Sequence, residues 1–83
     1  MFETTILFLK KYENRIKIER DFEWVVKVVL SSTNFNHIGA SNRVFKNFLH
    51  KWKNFITENE KNEYNFVFEH KKSVSIGQFL LKS

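Results

Sequence analysis

Residues 38–55 read IGASNRVFKNFLHKWKNF. Ile38, Phe45 and Trp52 stand seven apart, Ser41, Phe48 and Phe55 interleave with them at the same spacing, and Leu49 and Ile56 widen the seam. Apolar residues that return every three to four positions lie on one side of an α-helix, because the helix turns once in about 3.6 residues. The pattern predicts an amphipathic helix within 34–60, capped by Ser32 or Thr33 and about 40 Å long if it is continuous. Gly39 inside it costs about 1 kcal/mol relative to Ala.

The side of this helix opposite the seam carries Arg43, Lys46, Asn47, His50 and Lys53, with Lys51 on its flank. Arg43, Lys46, His50 and Lys53 are spaced so that they form one line along the helix. The charge of the whole chain concentrates here. Residues 24–57 contain no Asp or Glu, whereas Lys27, Arg43, Lys46, Lys51 and Lys53 supply five positive charges, matching the formal net charge of +5. The segments on either side balance to zero. A solvated helix face commonly mixes signs and gains charge pairs along the helix. A face without acids attracts polyanions or acidic protein surfaces instead. Arg and Lys neutralise phosphates, and Asn amides bond phosphate oxygens or base edges.

A second division of the same segment makes Ile38-Gly39-Ala40-Ser41 a turn, with Ser41 capping a helix from Asn42. The string Ile38 to Phe45 is then similar to the turn and recognition-helix start of helix-turn-helix domains, here followed by a wing. It departs from that pattern at Asn34, where an apolar residue is usual, and at bulky Phe35, where a small one is. The resemblance implies that Asn42, Arg43, Lys46, Asn47 and His50 face a major groove. Both divisions expose the same basic residues.

Outward from this core segment the periods are less regular. In residues 2–12, Thr4, Ile6 and Phe8 alternate with Thr5, Leu7 and Leu9, as in a strand buried on both faces. Ile16 and Ile18 alternate with Lys17 and Glu19 as a partner strand after a turn at 13–15; a helix across 4–18 is the alternative. Asp21 suits the N-cap of a helix over 22–31 with Phe22, Val25, Val26, Val29 and Leu30 inward, although the valines favour strands. Tyr64, Phe66 and Phe68 alternate, as do Val74 and Ile76 and, past Gly77, Phe79 and Leu81. These predict a C-terminal β-hairpin with a bulge at Gly77.

The 83 residues fit one domain, 1–83. Ten of the fourteen aromatics are Phe, which has no polar group to satisfy and belongs in a core. Trp24 lies off the buried stripe of its helix and, with Tyr64, is the candidate for aromatic contact with a partner. A chain without Cys has neither disulfides nor thiolate chemistry and fits a cytoplasmic protein. No signal peptide is evident, and no apolar run approaches the ~20 residues of a membrane span. The lysine-topped aromatic seam also suits a membrane-surface helix, but the other segments need it as a packing partner.

Chemistry is sparse. His37, His50 and His70 have no metal-ligand spacing, and there is neither a Gly-rich phosphate loop nor a nucleophile motif. No cofactor and no catalytic residue is indicated. The expected molecule is a small α+β domain: a two-helix hairpin with a long central helix, packed against short N-terminal strands and a C-terminal β-hairpin. Its expected role is non-enzymatic docking of Arg43, Lys46, Asn47, His50, Lys51 and Lys53 onto nucleic acid or a nucleoprotein, without membrane contact, as monomer or homodimer. The alternative is an inhibitor of the phage or mobile-element type, similar in size and charge to anti-CRISPR and anti-restriction proteins, that binds the acidic surface of a host or defence protein.

Overall fold

A computed structural model describes the backbone of residues 2–82 and the side chains of residues 12–82. Helix α1 runs from Phe2 to Leu30, α2 from Phe35 to Trp52 and α3 from Glu58 to Lys82. No strand occurs among the described residues. The chain is a three-helix bundle, not the α+β domain that its alternating segments suggest. Residues 2–19, expected as two strands, continue into the helix expected from residue 22, and the expected hairpin at 64–81 is one helix. The buried-strand expectation for 4–9 also concerned side chains outside the described ones.

α1 is the common partner of the other two helices, which touch each other least. The helices alternate in direction. Arg15 meets Glu60, Phe22 meets Tyr64, and Ser75 bonds the Ser32 carbonyl, so α3 runs parallel to α1. α2 runs back between these levels. α3 begins near the level of Arg15 and ends beyond Leu30, so the two parallel helices are offset. That offset makes the molecule a rod of 60 × 19 × 16 Å.

The core explains why these segments are helical. Ile18, Val25 and Val29 of α1 and Ile38, Phe45, Phe48 and Trp52 of α2 are buried, with Phe68 of α3 between them. With half-buried Phe22, the α1 seam reads 18, 22, 25, 29, and buried Ser32 just past the helix continues it. That three–four spacing is helical. α2 answers with 38, 41, 45, 48, 52. In α3 the inward positions are Tyr64, Phe68, Ser75 and Phe79. Phe45 and Phe68 stack at 4.2 Å between centroids, and Phe22 lies 4.6 Å from Tyr64. Packing of this kind overrides the strand preference of the α1 valines.

The helix ends follow local chemistry. Asn34, not Ser32 or Thr33, caps α2: its side chain accepts from His37 N at 3.0 Å, while Thr33 N donates to His37 Nδ1. Ser31 and Ser32 hydroxyls return to the Val28 carbonyl at the end of α1. α3 starts with a capping box. Glu60 N donates to Thr57 Oγ1 and Thr57 N donates to Glu60 Oε1, both at 3.1 Å. The central helix is therefore shorter than the continuous 34–60 rod expected; it stops at Trp52, and Phe55 lies exposed in the turn. Asp21 is no N-cap, because it sits inside α1. The helix-turn-helix division is overturned as well. Gly39 to Ser41 are helical, and buried Ser41 donates to the Ile38 carbonyl at 2.7 Å. The region expected to form the wing is α3.

Candidate polyanion-binding face on α2

The seam of α2 fixes where its charges go. With Ile38, Ser41, Phe45, Phe48 and Trp52 turned inward, Arg43, Lys46, Asn47, His50 and Lys51 are all exposed, as is Lys53 at the helix end. The structure thus brings the six expected polar residues onto one helix and its terminus, divided between its crest and two flanks.

One flank faces α3. Lys46 and His50 of α2, Lys53 at its C-terminal end and Lys61 of α3 surround a groove of about 360 Å³ floored by Leu49 and Ile56. Glu58 is the one carboxylate that lines it. Neither Lys46, Lys53 nor Lys61 has an ion-pair partner among the described residues. Three unpaired ammonium groups converging on a half-apolar recess can hold an anion with an apolar part. Lys61 escaped the sequence reading because it belongs to a segment of balanced charge. The helix separates that segment by side, so a zero sum conceals a local excess.

The other flank faces α1. Asn47 and Lys51 line a smaller groove of about 150 Å³ with Asp21 and Trp24, over Val25, Val44 and Phe48. Trp24 is 63% exposed here. Lys51 is not a free cation: its Nζ lies 2.9 Å from Asp21 Oδ2, so its charge is locally neutralised. This bond is the main cause that holds the Asp21 carboxyl below its ordinary range. Arg43 occupies the crest between the flanks, and His50 stands at its edge on the α3 side. Tyr64 lies elsewhere, half-buried with its ring against Phe22 and Phe48, and burial pushes its hydroxyl pKa up.

Among the described residues, no group of three or more His, Cys, Asp or Glu side chains is placed to hold a metal ion. No helix there is long and apolar enough to cross a membrane. Comparisons with protein-family models, curated proteins and solved structures give no match to this chain.

Proposed function

We propose that this chain is a non-enzymatic binding protein that docks onto nucleic acid through the basic face of α2. The observation that carries the proposal is the convergence of Lys46, His50, Lys53 and Lys61, from two helices, on one groove. Arg43 extends the positive crest, and Asn47 offers an amide that can donate and accept. Such a surface binds phosphates by releasing their counterions, so binding weakens steeply as salt rises.

The test is charge reversal. Lys46→Glu with Lys53→Glu changes two exposed side chains and leaves the seam intact. Binding to both DNA and RNA at low salt is expected to disappear while the melting temperature stays within a few degrees of the parent. Full retention by the double variant contradicts the proposal.

A further inference from the structure

We infer that the groove between α1 and α2 is a track for single-stranded nucleic acid, with Trp24 as the platform on which a base stacks. This inference rests on the proposal that the α2 face binds nucleic acid, and it names the form of the ligand.

The first observation is the indole itself. The chain has two Trp residues. Trp52 is buried and its Nε1 is bonded to Asp21, whereas Trp24 is 63% exposed beside Asn47. An exposed indole over an apolar floor of Val25, Val44 and Phe48 suits the flat face of a base. The Asn47 amide on the same rim suits its polar edge.

The second observation is a row of cations that only the helix makes visible. Lys17, Arg20, Trp24 and Lys27 are spaced three, four and three apart, which places them along one side of α1. All four are exposed, and none of the three cations has an ion-pair partner among the described residues. Glu19 is turned from Trp24 by about 140° around the helix, and Glu23, three residues after Arg20 and four before Lys27, borders the row without an ion pair to either. The row ends at Glu13, about 16 Å below Trp24. On the other side of the groove stands the α2 crest with Arg43. Asp21, the carboxylate within the groove, is already bonded to Lys51 and Trp52.

A row of cations that flanks an exposed indole, with Arg43 across the groove, matches a strand whose phosphates lie along the cations and whose bases turn toward the ring. A duplex keeps its bases in their stack, where an indole set between two helices does not reach them. Stacking accepts every base, so discrimination between sequences is expected to be weak.

The experiment uses the full chain, a 12-nucleotide oligothymidine and a blunt duplex of equal length, at low salt. Fluorescence anisotropy of labelled nucleic acid gives affinity, and tryptophan emission reports the indole, since Trp52 is shielded. The single strand is expected to bind at least about tenfold tighter than the duplex and to quench the emission. Trp24→Ala is expected to weaken single-strand binding about 5- to 150-fold and to leave duplex binding unchanged, while Trp24→Phe retains most of it. Equal affinity for both forms, with no quenching and no effect of Trp24→Ala, overturns this inference and leaves the α2 proposal standing. Binding of neither form overturns both.

Discussion

The indole Nε1 of Trp52 donates to Asp21 Oδ2 at 2.8 Å, joining the last turn of α2 to the middle of α1. The same oxygen accepts from Lys51 Nζ at 2.9 Å. Trp52 is 6% exposed, so its N–H has little access to water. Removing the acceptor leaves a shielded donor unpaired, which costs about 1–3 kcal/mol. Asp21→Ala is expected to lower stability in chemical denaturation by that amount, and Asp21→Asn, which keeps an acceptor, by less. Equal stability of Asp21→Ala and the parent contradicts this assignment.

Acid sensitivity follows from two carboxylates. The bond from Lys51, chiefly, holds the Asp21 carboxyl below its ordinary range, and the bond from Arg15, with the Thr57 backbone N–H behind it, does so for Glu60. A carboxyl whose folded-state pKa is depressed stabilises the fold above its unfolded-state pKa. That stability is lost as pH falls through the folded-state value. Melting temperature is therefore expected to be level from neutral pH down to the ordinary carboxylate range and to fall below it. Both groups are near the surface, so the loss is modest and smaller at high salt. In Asp21→Asn the acid-side decline is expected to be shallower.

Phe66 and Phe68 separate a helix from a hairpin at the C-terminus. Two positions apart, they share a face in a strand but lie about 200° apart around a helix. Phe68 is 1% exposed and stacks on Phe45, whereas Phe66 is 75% exposed. Phe68→Ala is expected to destabilise by about 3–5 kcal/mol, and Phe66→Ala by no more than about 0.5 kcal/mol. Similar large losses for both point to the strand arrangement.

Gly39 and Gly77 lie inside α2 and α3, and apart from the adjoining residues and the helix's own nearby backbone a methyl group added at either meets no atom within 4 Å. Neither position has a positive φ. Ala lowers the backbone entropy lost on folding, so each Gly→Ala change is expected to stabilise by about 0.5–1 kcal/mol. In a chain of this size that raises Tm by about 2–8 °C. A fall in Tm for Gly77→Ala contradicts the uninterrupted α3.

The seam of α2 was legible because each of its inward residues except Ser41 is large and apolar, and its outward residues are nearly all polar. The flanking helices hide theirs. α3 places Ser75 in the core and Phe66 and Leu81 in water, so an apolar count finds Tyr64, Phe66 and Phe68 alternating and reads a strand. α1 does the same with Trp24 outside, and Ser32 just past its end is buried. A usable signal was present in Thr57 and Glu60, the Thr-x-x-Glu capping box that starts the helix running through the segment expected as a hairpin. The candidate site divides in the same way. Arg43, Lys46, Asn47, His50 and Lys53 followed from the α2 period alone. Lys61 required knowledge of where α3 begins, and the neutralisation of Lys51 by Asp21 required the crossing of two helices.

Cations on and beside α2 without ion-pair partners among the described residues are proposed to take up phosphates, which makes oligonucleotide binding depend on salt. The logarithm of the association constant is expected to fall linearly with the logarithm of salt concentration, and Lys46→Ala and Lys53→Ala are each expected to reduce the slope by about 0.7–0.9. Binding indifferent to salt, or a slope that neither substitution changes, contradicts it.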